Sequence, residues 1–149
     1  MDARDGLLKL ENQLCFALVT AARNVVSIYR PVLEPLGLTH PQYLVMLALW
    51  ERSPRSLSDL ADELAMEPAT LSPLVKRLEA QGRVTRSRRA DDERVLDIGL
   101  TDDGRALRDR ALDVPEQIMQ RVGMDVAQLA ALRDGLAPFA GSRPPMGRT

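Results

Sequence analysis

Apolar residues recur at steps of three and four near the start of the chain, at Leu7, Leu10, Leu14, Leu18, Ala21, Val25, Ile28 and Val32. That spacing predicts one amphipathic helix of about 25 residues or slightly fewer. Pro31 and Pro35-Leu36-Gly37 mark its end. So long a stripe exceeds what a short chain can cover by itself, and pairing with a second copy is expected to cover the rest. Thr39 opens the next helix, with Gln42 three residues on as in a capping box and Pro41 in the first turn. Residues 43–50 are apolar on all sides, so this helix is expected to be buried. Residues 51–56 are polar, include Pro54, and read as a turn.

Two short amphipathic helices follow. The first covers residues 57–65 with its stripe at Leu57, Leu60, Ala61 and Leu64. The second covers 68–82 with its stripe at Leu71, Leu74, Val75 and Leu78. Only Met66-Glu67 separates them, which makes a helix-turn-helix candidate. Residues 83–86 and 95–98 read as short strands flanking a charged tip at 87–94, a β-hairpin wing attached to the second helix. Thr101 then caps a helix with Asp102 and Asp103 in its first turn, where the helix dipole favours acids. That helix runs to about residue 114, where Pro115 interrupts it. Residues 116–121 and 125–136 supply further helix, and 141–149 reads as a disordered tail.

The fold class is therefore mainly α with a small β-hairpin wing. Its expected division is a winged helix-turn-helix lobe at 38–101 and a helical dimerisation region made of 1–34 and 102–140. A length of 149 residues suits one domain or two units sharing a core. One Cys and one His are too few for a disulfide framework or a zinc site, so no metal or cofactor is expected. No stretch approaches the roughly 20 apolar residues of a membrane span, and residues 1–5 lack the pattern of a signal peptide. The expectation is a protein of the reducing cytoplasm that does not bind membranes.

A net charge of −1 hides a segregated distribution. Lys76, Arg77, Arg83, Arg86, Arg88, Arg89 and Arg94 face only Glu79, Asp91, Asp92 and Glu93 in the same window, which is net +3 against −4 elsewhere. A helix plus wing with this bias points to duplex DNA as partner. With the apolar stripe inward, Thr70, Ser72, Pro73, Lys76 and Arg77 face outward. The small residues allow close approach to base edges, and the cations can reach phosphates or guanine. Arg86 and Arg88 extend the basic surface onto the wing. Arg94 is placed to enter a minor groove, with Asp92 two residues earlier to hold its guanidinium.

Asp92-Glu93-Arg94 followed by Leu100-Thr101-Asp102-Asp103-Gly104 resembles the wing signature of the MarR family, and Leu71-Ser72-Pro73-Leu74-Val75-Lys76-Arg77-Leu78-Glu79 resembles its recognition helix. The resemblance implies a homodimeric winged helix-turn-helix repressor on an inverted-repeat operator, with half-sites about one helical turn apart. Leu10-Glu11-Asn12-Gln13-Leu14-Cys15-Phe16-Ala17-Leu18, Pro41-Gln42-Tyr43-Leu44 and Leu49-Trp50-Glu51 are similar to the organic hydroperoxide resistance regulators of that family. This second resemblance implies that Cys15 is a redox sensor. Peroxide would oxidise it to a sulfenate, further oxidation or capture by a small-molecule thiol would follow, and DNA would be released. The three positions where the subfamily carries tyrosines near the thiol are here Val19, Tyr29 and His40. Tyr29 keeps its hydroxyl, and His40 offers a ring nitrogen instead.

The residues themselves leave alternatives. A lone cysteine on an apolar helix can simply be packing. In the predicted helix Cys15 lies about nine residues from the start, where the helix's own dipole contributes little. Support would then come from elsewhere, such as across a dimer interface. A second reading keeps the repressor but releases it by reversible binding of a phenolic or aromatic ligand, in a cleft lined by Tyr29, Tyr43, Trp50 and Arg23, with Cys15 unreactive. A third makes Cys15 and His40 the nucleophile and base of an enzyme. It lacks a phosphate loop, an oxyanion turn or a metal cluster, so the chain is read as a non-enzyme.

Overall fold

The N-terminal apolar stripe is divided among three elements. In the computed structural model, which describes residues 3–140, Ala3–Leu8 and Leu10–Asn12 form 3-10 turns and α1 runs over Leu14–Leu33. The tail expected at 141–149 lies outside the described residues. The single helix expected over 7–32 is broken by two side-chain amides. Asn12 donates to the Gly6 carbonyl at 2.6 Å, and Gln13 donates to the carbonyls of Leu7 and Lys9. Such bonds offer the backbone an alternative to the helical ladder, and Gln13 itself is extended. Pro31 does not end the helix; it lies inside α1, which continues to Leu33 and gives way to the turn Glu34–Leu36.

Buried residues of α1 are confined to Val32 and Leu33. Leu14, Phe16, Val19 and Val25 stay exposed, as do Leu7, Leu8 and Leu10 before them. The C-terminal helices repeat the pattern: α6 (Val114–Val122) packs on α1, while α7 (Val126–Gly135) and α8 (Ala137–Ala140) expose Val126, Leu132 and Phe139. With Leu8 83% and Val126 68% exposed, this is more apolar surface than a monomer ordinarily leaves in water.

Helix α2 (His40–Glu51) is capped as its sequence predicts, with Thr39 Oγ1 accepting from the Gln42 N–H at 3.4 Å and Gln42 accepting from the Thr39 N–H at 3.0 Å. Val45, Met46 and Leu49 fix it in the core. Helix α3 (Leu57–Glu63) and helix α4 (Pro68–Ala80) follow. Leu60, Leu71, Val75 and Leu78 form the seam between them and α2. The wing strands β2 (Val84–Arg89) and β3 (Asp92–Leu100) join a third strand, β1 (Arg55–Ser56), in the order β1-β3-β2.

Strand β1 lies where the sequence predicts only a turn; it pairs with β3, and its Arg55 anchors it to the helices. The Arg55 side chain is 1% exposed. Its Nε donates to Asp59 at 2.8 Å, one terminal nitrogen donates to the Ala48 carbonyl at 3.3 Å, and the other pairs with Glu63. The guanidinium thus ties β1 to α2 and α3 together. Its hydrogen bonds hold the carboxyls of Asp59 and Glu63 below their ordinary values.

Helix α5 (Asp102–Ala111) starts against the turn that precedes the wing. Thr101 Oγ1 accepts from the Gly104 N–H at 3.0 Å and donates to the Gly82 carbonyl at 2.6 Å. The Trp50 indole donates to the Gly104 carbonyl at 2.8 Å. A Cβ on Gly104 would lie 2.0 Å from the Arg83 carbonyl oxygen, so only glycine allows this approach. Among the described residues, no helix is long and apolar enough to cross a membrane.

Gly104→Ala is therefore expected to lower stability by about 3 kcal/mol, because the methyl group meets backbone rather than a movable side chain. Denaturant unfolding of the two proteins measures this. Arg55→Leu should lose stability in a pH-dependent way. With their pKa values lowered in the fold, Asp59 and Glu63 contribute stability above the unfolded values of 3.8 and 4.5, and lose it as pH falls through the folded values. Thermal unfolding should separate wild type from Arg55→Leu widely at pH 7 and much less at pH 3.

Candidate nucleic-acid interface and thiol site

Helix α4 buries Leu71, Val75 and Leu78 and turns Thr70, Pro73, Lys76 and Arg77 to solvent, with Ser72 half-buried. These outward residues divide between two sides. Ser72 and Lys76 share a groove of about 410 Å3 with Arg86, Arg88 and Arg94 of the wing. Arg77 faces the opposite groove, which Arg30 and His40 also line. The structure thus gathers five of the sequence-predicted residues on one side of α4 and sets Arg77 apart.

The wing strands extend beyond the limits the sequence suggests. Pairing continues to Arg89 opposite Asp92, leaving only Ala90-Asp91 as the tip. Arg89 donates to both oxygens of Asp97 at 3.0 and 2.8 Å, which braces this outer part across the strands. The register jumps between Arg88, opposite Leu96, and Arg89, opposite Asp92. Glu93, Arg94 and Val95 form a bulge, and a bulge re-aims the side chains it carries. Arg94 accordingly projects with its side chain 91% exposed.

Asp92 holds the Arg94 guanidinium at 3.0 and 3.3 Å and also accepts from the Arg94 backbone N–H at 3.2 Å. Those bonds keep the Asp92 carboxyl below the usual carboxylate range. Arg86 is differently engaged: its Nε and one terminal nitrogen both lie 3.1 Å from Glu79 Oε1 on α4. Lys76, Arg77 and Arg88 carry no ion pair among the described residues.

The single thiol lies elsewhere. Cys15 is exposed and is the second residue of α1, not the ninth, because the helix begins at Leu14. It therefore sits in the first turn of α1. Val19 is one turn along the same helix. Tyr29 is fourteen residues on, about 21 Å at 1.5 Å per residue. One chain does not bring Tyr29 to Cys15.

Tyr29 instead meets His40 edge-on at a ring distance of 5.2 Å, and the Tyr43 ring lies 5.8 Å from it. Burial pushes both phenols up, so they remain protonated donors, and burial pulls the His40 imidazole down, so it is neutral at pH 7. Of the four residues of the alternative ligand cleft, Tyr29 and Tyr43 thus stand together. Tyr29 lines a groove between α1 and α6–α7, Trp50 shares another with Tyr43 beside α5, and Arg23 joins neither groove.

Comparison with known proteins decides the family. The MarR family profile matches residues 38–96. The chain is 42% identical over 132 residues to the organic hydroperoxide resistance transcriptional regulator of Bacillus subtilis, covering 87% of this chain and 90% of that protein. The chain belongs to the MarR family.

Among solved structures, overoxidized AbfR bound to DNA, from Staphylococcus epidermidis, is similar at 33% identity and a TM-score of 0.75, covering 92% of this chain and 96% of that one. The repressor CouR of Rhodococcus jostii bound to a DNA duplex is similar at 27% identity and a TM-score of 0.81, covering 90% and 96%. This MarR-family chain is a DNA-binding transcription regulator with a winged helix-turn-helix, and its relatives are regulators rather than enzymes.

Sequence reasoning missed Arg55, Glu79 and Asp97 as the groups that hold this surface in shape. The spacing of Arg55 to Asp59 and Glu63, four and eight residues on, was the available signal for the first. Nothing in the sequence marked the other two.

Arg94→Ala should weaken operator binding by about tenfold or more and lower the salt dependence by about one ion per protomer. With Arg94 so exposed, thermal stability should not change. Fluorescence anisotropy over a salt series measures both parameters.

Proposed function

We propose that this MarR-family protein is a homodimeric repressor that grips an inverted-repeat operator with α4 and the wing and lets go when an organic hydroperoxide oxidises Cys15. The DNA contacts in this reading come from Thr70, Ser72, Pro73, Lys76, Arg88 and Arg94, joined by Arg77 from the other side of α4, with Asp92 holding Arg94. The observation that carries the sensing role is the position of Cys15, an exposed thiol in the first turn of α1 amid exposed apolar side chains. A second copy would cover those side chains and leave the thiol at an interface. Similarity to the Bacillus subtilis organic hydroperoxide resistance regulator supports the class of oxidant.

The chemistry needs only the thiol and the peroxide. The Cys15 thiolate sulfur attacks one peroxide oxygen, the O–O bond breaks and an S–O bond forms. The alkoxide leaves and takes a proton to become the alcohol, so two electrons pass from sulfur to peroxide. The sulfenic acid then condenses with a small-molecule thiol of the reducing cytoplasm, releasing water and leaving a mixed disulfide. The chain has one cysteine, so no internal disulfide competes.

Tyr29 and His40 enter through the dimer. Since Tyr29 is about 21 Å from Cys15 along its own helix, the Tyr29–His40 pair of one copy supports the thiol of the other. Being neutral, His40 acts there as a hydrogen-bond donor rather than a cation. Conversion of a small thiol to a bulkier, charged or adduct-bearing group at a packed interface shifts the spacing of the two α4 helices.

Purified wild type should lose operator affinity by about tenfold or more on treatment with cumene hydroperoxide, and regain it with dithiothreitol. Cys15→Ser should bind DNA like wild type and stay bound in peroxide. Release of Cys15→Ser by peroxide overturns the proposal. A phenolic or aromatic acid that releases both proteins equally selects a reversible-ligand repressor instead.

A further inference from the structure

One row of the sheet carries two arginines. Ile98 in the middle strand is fully buried, Arg55 pairs with it from β1 and Arg86 pairs with it from β2. Directly opposed residues share a face of the sheet. Each of the two guanidiniums reaches a different helix of the helix-turn-helix: Arg55 reaches α3 through Asp59 and Glu63, and Arg86 reaches α4 through Glu79. The sheet is thus tied to both helices of the helix-turn-helix through arginines on the two strands that flank β3.

Arg86 is also the last residue of β2 with any burial. Beyond it, Ser87, Arg88 and Arg89 are exposed, so on this strand the Glu79 pair is the outermost tie between wing and α4. Inside it, the two are joined by the turn at Gly82, with φ 77°, by the Arg83 N–H donating to the Leu78 carbonyl at 2.9 Å, and by buried Val84. From Arg86 to the tip at Ala90 the hairpin projects about 13 Å at 3.3 Å per residue. A change of about 10° at this tie would move the tip by about 2 Å, enough to break hydrogen-bonding geometry at Arg94.

We infer that Glu79 and Arg86 are positioning residues that set the angle of the wing to α4, and that Glu79, an acid on the DNA-reading helix, strengthens specific operator binding. In this arrangement Arg86 is not itself a DNA contact, in contrast to the expectation from its charge. The inference rests on the reading of α4 and the wing as the DNA interface.

Its sign separates it from simple electrostatics. Removing a carboxylate near a polyanion should tighten binding if charge alone matters, and should also free Arg86 to reach a phosphate. Positioning demands the reverse. Glu79→Gln keeps the side-chain shape, and the pair is part-exposed, so the fold should be retained; thermal unfolding checks that. Operator affinity of Glu79→Gln should fall at least about fivefold, while affinity for unrelated duplex is unchanged or rises. Arg86→Gln should weaken operator binding comparably, and the double variant should be no weaker than Arg86→Gln alone. The exchanged pair, Glu79→Arg with Arg86→Glu, should recover part of the loss.

Operator binding by Glu79→Gln equal to or tighter than wild type overturns the proposal, as does an additive loss in the double variant. Lys76→Ala and Arg94→Ala run alongside. If those two bind the operator like wild type, the interface itself is misplaced. If they weaken binding and Glu79→Gln does not, only the positioning role falls.

Discussion

The DNA-reading lobe depends on one charge held out of water. The Arg55 guanidinium is buried between β1, α2 and α3, and moving such an ion from water costs several kcal/mol unless good acceptors replace the solvent. Here the replacement is complete on three sides, from Asp59, Glu63 and the Ala48 carbonyl. The two carboxylates stay part-exposed, so they neutralise Arg55 without being buried themselves. Because Arg55 also stands directly opposite Ile98 in the sheet, the same residue helps fix where the sheet lies against the helices. The placement of the wing follows from that.

Acids on the basic surface act as its framework. Glu79, Asp92 and Asp97 each hold one arginine, at Arg86, Arg94 and Arg89. The net charge of the segment therefore overstates what is available to DNA and understates how well it is aimed. Among the described residues Lys76, Arg77, Arg83 and Arg88 carry no ion pair, and Arg94 keeps an exposed head on an anchored stem. An anchored guanidinium has less side-chain entropy to lose on meeting a groove, so a nearby carboxylate can help binding to a polyanion.

Much of the fold was legible because its signals are local. The capping box at Thr39 and Gln42, the limits of α4, the hairpin and the cap at Thr101 all depend on residues within a few positions of each other. The failures involve competition or distance. Periodicity carried α1 back to Leu7, but Asn12 and Gln13 redirect the carbonyls before it, and a hydrophobic pattern contains no term for that. Strand β1 is two residues long and exists only because β3, some forty residues away, supplies its partner. The bulge that presents Arg94 likewise comes from a mismatch between two strands rather than from either one.

The corrected start of α1 changes the thiol most. The sequence alone established that the chain holds one cysteine, one histidine and a basic helix-plus-wing, since these are matters of composition and short-range order. Only the tertiary structure decided that Cys15 stands in the first turn of a helix while Tyr29 and His40 pack together far from it. It likewise decided which arginines are held and which are free. Helix ends and ion pairs are settled by which groups compete for the same carbonyl or carboxylate in space, and that competition is invisible until the chain has folded.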